Sequence, residues 1–413
     1  MKEIFAEIIT IGDEILFGQI TDTNSQWISA ELDKIGIKTR RKTSVSDKGG
    51  EIVASLQEAE NRADIILITG GLGPTKDDLT KYVLADYFGV ELKRDEQAFQ
   101  ELSDYFEKRG RKLDELNYGQ ADLPTNSVRI KNNYGTASGM WFEENDTIYV
   151  SMPGVPFEMK AMMTNTVLAK LAEKFSLPAI HHKMIRTVGI GESWLADKIK
   201  DWEDALPNHI KLAYLPGMWQ VRLRLTGVGT NKEVLAKEIE AQHDKVFSII
   251  EKYVFGYGKT ELEEAVGNLL AEKNLTIAFA ESCTGGFISH KITSVPGSSA
   301  YLKGSVVAYA NEVKQRQLGV KAGTLEKHGA VSEETAIEMA EGVRKALDTD
   351  IGFASTGIAG PDGGTEEKPV GTVWLAFSSQ EKIETIKLNL GGTRDLNIKY
   401  ATVNALNLIR LSL

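Results

Sequence analysis

One cysteine among 413 residues excludes an intrachain disulfide framework and any cysteine-rich zinc site. Histidine is nearly as scarce: the six present fall in no metal-ligand spacing. The adjacent pair His181-His182 cannot face one site from a regular strand, where neighbours point to opposite sides. No apolar run approaches the roughly 18 residues of a membrane span, so no membrane partner is expected. The opening Met1-Lys2-Glu3-Ile4-Phe5-Ala6-Glu7-Ile8 carries acids within a strand pattern and does not read as a signal peptide, which predicts a cytoplasmic protein. Positive charge is in deficit, with a net charge of −10. Nucleic-acid-binding domains normally present a basic face, so no direct nucleic-acid contact is expected, though a local cationic patch for phosphates stays open. What remains has the make-up of a soluble globular protein, 26% charged and 42% hydrophobic, long enough for two to four domains.

The order of elements predicts three parts. In residues 1–176 strands and helices alternate: strand Phe5–Ile11, helix Thr23–Ile35, strand Lys38–Val45, helix Glu51–Ala63, strand Ile65–Thr69, helix Asp78–Phe88. This order gives a parallel sheet with helices on both faces and ligands at the strands' carboxyl ends. Strand Thr147–Val150 and helix Phe157–Phe175 close the part. A break at Ser176-Leu177-Pro178 opens a small α+β domain over 177–255. Its strands are Ile185–Val188, Ile210–Tyr214 and Gln220–Thr226, its helices Ser193–Asp204 and Lys232–Ile250, and its Gly189-Ile190-Gly191 reads as a structural turn. Phe255-Gly256-Tyr257-Gly258 reads as a linker into a third, α/β domain over 256–413, whose strand ends near Ala280, Ala310 and Thr356 would meet at one sheet edge if parallel.

In the first part, Gly12-Asp13-Glu14-Ile15 and Gly70-Gly71-Leu72-Gly73-Pro74-Thr75-Lys76-Asp77-Asp78 leave strand ends. Gly70, Gly71 and Gly73 let backbone approach a pyrophosphate, and the following helix N-terminus favours its charge. Asp77 and Asp78 offer hard oxygens to a divalent metal. The alternative for these two and for Asp22 is a capping or first-turn acid favoured by the helix dipole.

In the last part, Ala280-Glu281-Ser282-Cys283-Thr284-Gly285-Gly286 sits where a buried strand turns into a helix, with the unpaired amides of Thr284–Gly286 available to an oxyanion. A Ser there is either an N-cap or a nucleophile. No histidine lies in a triad motif, so Lys314 is the available base, provided burial depresses its pKa. Tyr309 could relay a proton or hold a leaving group. Cys283 rivals Ser282, because a thiolate is the better nucleophile; the residues alone leave the two open.

Gly70-Gly71-Leu72-Gly73 to Asp78 and the loop Pro153-Gly154-Val155-Pro156 resemble the molybdopterin-binding superfamily. Gly12-Asp13-Glu14-Ile15-Leu16 and Asp22-Thr23-Asn24 resemble, more narrowly, the N-terminus of the competence/damage-inducible CinA family. Residues 262–405 resemble that family's C-terminal domain, which also occurs alone as a nicotinamide mononucleotide deamidase. The likeness runs through 280–286, Pro296–Tyr301, Val306–Lys314, His328–Glu334, Gly357–Gly364 and Lys368–Val373.

The resemblance implies a bifunctional hydrolase of pyridine-nucleotide recycling. Its C-terminal domain would be a cofactor-free amidase with Ser282 as nucleophile, Lys314 as base, Tyr309 and Thr356 assisting, and Thr284, Gly285, Gly286 and Gly357 around the substrate. Arg394 would clamp the phosphate. The N-terminal domain would be an ADP-ribose pyrophosphatase, with Asp22, Asp77 and Asp78 at a Mg, Mn or Co ion or its phosphates and Glu158 a weaker candidate. A homodimer binding nicotinamide mononucleotide and ADP-ribose is expected. The rival readings are a molybdopterin-binding protein and a non-catalytic scaffold of competence or DNA-damage machinery.

Overall fold

The computed structural model describes residues 2–113 and 115–413, the side chains of Glu115 and Leu116 excepted. Met1, in the opening segment read above, therefore lies outside the described residues. Contacts divide the chain into two compact units, Met1–His181 with Gly227–Ala236 and His182–Thr226 with Lys237–Leu413.

The first unit contains β1 (Phe5–Ile11), β2 (Lys38–Val45), β3 (Ile65–Thr69), β4 (Leu92–Arg94), β5 (Asp122–Pro124), β6 (Val128–Ile130), β7 (Gly139–Glu144) and β8 (Thr147–Met152). Six of these form one sheet in the order β2-β1-β3-β8-β7-β6, and β4 pairs with β5 alone. β2, β1, β3 and β8 run parallel; β7 and β6 add an antiparallel edge. The edge follows from local chemistry. Asn145 and Asp146, both at positive φ, make the tight hairpin that joins β7 to β8. β3 and β8 are buried along their whole length, as strands covered on both faces must be. Ile28, Leu32, Met159 and Leu171 pack on one face, and Ile52, Leu56, Val83 and Leu84 on the other. β1 pairs with β2 on one side and β3 on the other. Strand order therefore reverses beside it, which places the ligand crevice at the loops starting at Gly12 and Gly70.

Several helices shift from the expected bounds, the one expected over Glu51–Ala63 running Gly49–Glu60, and two of the differences have a local cause or form. The helix expected from Asp78 begins at Thr80, because the Asp78 carboxylate folds back onto the Thr75 amide (2.8 Å) and hydroxyl (2.5 Å) and closes a turn instead. The helix expected over 157–175 runs from Pro156 to Lys174, with a wide π-type turn at Met163–Val167 in its middle.

The following segment forms the sheet β10-β11-β9-β12, made of β9 (Ala179–Val188), β10 (Ile210–Pro216), β11 (Gln220–Gly229) and β12 (Val254–Tyr257). The last is a correction: most of the stretch read as a linker pairs antiparallel with β9, with a register shift between Val254 and Gly256. Val254 supplies the apolar side chain that the core beneath, with Ile185, Leu223 and Val246, accepts.

The last segment is a five-stranded sheet, β14-β13-β15-β16-β17, from β13 (Ile277–Glu281), β14 (Leu302–Val307), β15 (Ile351–Gly357), β16 (Thr372–Ser378) and β17 (Ile383–Asn389). β14, β13 and β15 are parallel; β16 and β17 continue antiparallel. Ile288, Ile292, Ala405 and Ile409 pack on one face, and Met339, Ala340 and Val343 on the other. The three parallel strands release their chains at one edge, so residues 282, 308–314 and 355–357 gather there.

Candidate active site

Ser282 follows β13 directly, and its amide donates to the Ser355 carbonyl at 2.9 Å, fixing it to the tip of β15. Lys314 lies in helix Asn311–Leu318. Only 1% of it is exposed, and no carboxylate pairs with it among the described residues. Its Nζ reaches the Ser282 Oγ (3.0 Å), the Ala308 carbonyl (2.7 Å) and the Tyr309 carbonyl (3.3 Å). Burial holds its pKa below the usual lysine value, with the neighbouring Cys283 pulling the other way. The three contacts fit an ammonium donating to all of them, and they also accommodate the neutral amine that burial favours. Its two N–H groups match the two carbonyls, and its lone pair then faces the Ser282 hydroxyl.

Cys283 turns into the core beside Ile288, Ile292 and Tyr301, where burial first, and the charge of Glu281 further, push its thiol up to about 12. Cys283 is a small buried residue, and of the two nucleophiles that the sequence left open only the hydroxyl is hydrogen-bonded to Lys314.

The amide donors differ from the expected set. The Gly285 amide goes to the Ser282 carbonyl and the Gly286 amide to a carboxylate oxygen of Glu281 (3.0 Å). Among the described residues, no other residue accepts from the amides of Cys283 and Thr284, and the Cys283 amide lies against its own thiol. Both lie in the chain directly after Ser282. Gly285 and Gly286 hold left-handed φ angles, which gives glycine a conformational reason to be there.

Tyr309 is 61% exposed. Its hydroxyl accepts from Arg394 Nη2 (2.9 Å), while Arg394 Nη1 donates to the Gly360 carbonyl (2.7 Å). The phenol is thus paired with Arg394, and Lys314 meets only the Tyr309 carbonyl. Thr356 is buried and gives its hydroxyl to the Ala330 carbonyl at 2.6 Å, bracing a loop. A Cβ at Gly357 would stand 2.7 Å from the Thr372 carbonyl, so close strand pairing alone requires a glycine.

In the first unit, a cleft of about 520 Å³ is lined by Gly70, Gly71, Gly73, Asp77 and Asp78, and also by Glu14, Asp47, Gln120 and Glu158. The glycines serve the protein's own contacts as well: a Cβ at Gly70 would meet the Ile11 carbonyl at 2.2 Å and one at Gly71 the Thr80 hydroxyl at 2.2 Å. Asp22 does not line this cleft. It caps helix Thr23–Lys34, one of its oxygens accepting from the Ser25 amide at 2.9 Å. Asp78 spends one oxygen on Thr75, and Glu158 accepts from Asn132 at 2.6 Å. Asp47, which the sequence reading missed, has its carboxyl pushed above the usual range by burial and by the charges of Asp13, Glu14 and Asp77, against a bond from the Asp13 amide. Gln120 is buried, and neither its Nε2 nor its Oε1 has a partner among the described residues. Among the described residues, one set of three acidic or histidine side chains comes within 4.8 Å, Glu240, His243 and Asp244, and Lys183 already bonds both oxygens of Glu240.

Fold and site define a protein with a molybdopterin-binding-like α/β domain, a small middle domain and a second α/β domain built around a hydroxyl–amine pair. Family models agree with this order: the "probable molybdopterin binding domain" matches residues 7–173, the "damage-inducible protein CinA KH domain" 182–256 and the "CinA C-terminal domain" 259–413. A CinA-like protein of Cytophaga hutchinsonii is 54% identical over 99% of this chain and 98% of its own length. One of Flavobacterium psychrophilum is 45% identical over 98% and 97%. A solved CinA structure from Thermoplasma acidophilum is 32% identical and covers 41% of this chain and 98% of its own, with a TM-score of 0.38. The chain belongs to the CinA family.

Proposed function

We propose that the last domain is a serine–lysine amidase that converts nicotinamide mononucleotide and water to nicotinic acid mononucleotide and ammonia. The observation that carries this reading is the 3.0 Å contact between the buried, unpaired Lys314 amine and the Ser282 hydroxyl. In the reaction, Lys314 takes the Ser282 proton as the Oγ attacks the carboxamide carbon. The oxygen gains negative charge and meets the amides of Cys283 and Thr284, donors worth roughly 3–4 kcal/mol each in such sites. Lys314 passes its proton to the leaving nitrogen, the C–N bond breaks and ammonia departs. A water then gives a proton to Lys314 and attacks the ester, and Ser282 leaves with that proton returned. Arg394, at the rim, offers a guanidinium to the substrate phosphate.

The first domain is read as an ADP-ribose pyrophosphatase yielding AMP and ribose 5-phosphate. Two observations favour a ligand there over a purely structural loop: the uncompensated acids around Asp47 and the orphaned Gln120 carboxamide on the cleft wall. Glu14, Asp47 and Asp77 line the cleft with hard oxygens, not within 4.8 Å of one another as they stand, and a divalent cation drawn among them would polarise a diphosphate and acidify a water. These side chains bind and orient, and Gln120 offers one donor and one acceptor to a heterocycle edge. A pterin would meet the same edge.

One incubation tests both halves. The full chain, given nicotinamide mononucleotide or ADP-ribose with and without EDTA, is expected to release ammonia regardless of chelator. It is expected to form AMP only with a divalent cation. Ammonia release that EDTA stops would sink the metal-free amidase, and AMP formed equally with EDTA would sink the metal-dependent half.

A further inference from the structure

Glu281 ends β13, one residue before Ser282, and is fully buried. Its carboxylate accepts five hydrogen bonds: from the Thr284 hydroxyl (2.7 Å), the amides of Gly286 (3.0 Å), Ile288 (3.1 Å) and Ser289 (2.8 Å), and the Ser289 hydroxyl (2.5 Å). No lysine, arginine or histidine pairs with it among the described residues. A buried carboxylate held only by neutral donors is costly wherever those donors are not fixed in place. Here they all belong to the one loop and helix that follow it.

Two consequences follow for the site. First, the amides that open helix Phe287–Thr293 are consumed inside the protein, since the Phe287 amide also goes to the Thr284 carbonyl. That helix start is therefore closed to a substrate anion. Second, because the Thr284 hydrogen goes to Glu281, the Ser355 hydroxyl is the donor in its 2.7 Å contact with Thr284, which ties the loop to β15. Between these anchors the chain turns with only the Cys283 and Thr284 amides not taken by another residue.

We propose that Glu281 is a positioning residue that folds the loop after Ser282 so that the amides of Cys283 and Thr284 form the oxyanion-binding pair. It acts through those amides and touches no substrate. This rests on Ser282 being the nucleophile, so the test uses a substrate that needs no nicotinamide recognition: acylation of Ser282 by p-nitrophenyl acetate, followed as p-nitrophenolate.

In Glu281→Gln, an NH2 replaces an acceptor against N–H donors, and the acylation rate is expected to fall about 100-fold or more, the loss typical of a missing oxyanion donor. Binding of nicotinamide mononucleotide, compared between Ser282→Ala and Ser282→Ala/Glu281→Gln, is expected to stay the same. Should Glu281→Gln not fold, Ser289→Ala deletes a single donor and is expected to slow acylation by up to roughly tenfold, the worth of one hydrogen bond. Amide hydrogen exchange in the unaltered protein is expected to protect Gly286, Ile288 and Ser289 and not Cys283 or Thr284. Acylation at the original rate in a folded Glu281→Gln protein, or unprotected amides at 286, 288 and 289, overturns the proposal. A protein that acylates but releases no ammonia from the mononucleotide overturns the substrate reading and leaves Glu281's role standing. No acylation at all overturns both.

Discussion

Replacing Ser282 with alanine is expected to lower ammonia release from nicotinamide mononucleotide by about 10⁴-fold or more, while Cys283→Ala stays within a few-fold of the original rate. The size of the first effect comes from comparable hydroxyl nucleophiles, whose loss leaves only binding and oxyanion stabilisation. The second follows from the burial of the thiol. At about 12, its thiolate fraction at neutral pH is on the order of one in 10⁵, too small to carry turnover. Its removal costs packing against Ile288 and Ile292, which calorimetry would register as a lower Tm without a matching loss of rate. Steady-state ammonia assays on the two variants decide the matter. An inactive Cys283→Ala beside an active Ser282→Ala would move the chemistry to sulfur.

The second large effect concerns protons. Lys314 must be neutral to act as a base, and burial holds its pKa below 10.5. The ratio kcat/KM is therefore expected to rise with pH and to level off above the folded value. Stability carries the same sign. Between the folded pKa and 10.5 the unfolded chain binds more protons than the folded one, so stability rises with pH across that window. The desolvation cost is fully present below the folded value and relieved as pH approaches 10.5. Lys314→Arg keeps a cation that does not deprotonate, so activity and its pH dependence should both vanish. Profiles from pH 6 to 10 on the two proteins test this. A flat profile in the original protein, or an active arginine variant, would remove Lys314 from the role of base.

The sequence carried the alternation of strand and helix plainly, because β3 is an apolar run and β8 and β15 are short runs of apolar and small residues, closed by glycine or proline loops. It also carried the meeting of Ser282 with Lys314. Both lie just past parallel strands that are neighbours in the sheet, and parallel strands end on the same side. Glu281 stood in the motif without a role, since nothing local distinguishes a carboxylate that collects helix amides from one that faces water. Asp22 was legible as a cap at the start of its helix, the alternative weighed beside the metal role that the resemblance implied, and the cap is what its bond from the Ser25 amide shows. Asp47 comes from the loop after β2, and only the order β2-β1-β3 brings it to the glycine cleft. β12 was hidden by Gly256, whose register shift breaks the alternation that marks a strand.

Trapping with hydroxylamine tests the central claim, covalent attack on a carboxamide by Ser282 with Lys314 as base. During turnover of nicotinamide mononucleotide, an acyl ester on Ser282 is expected to partition to the hydroxamate, which accumulates in place of nicotinic acid mononucleotide while ammonia continues to appear. Neither product should form with Ser282→Ala. Ammonia released with no hydroxamate at any hydroxylamine concentration, or hydroxamate formed equally by Ser282→Ala, would contradict the account.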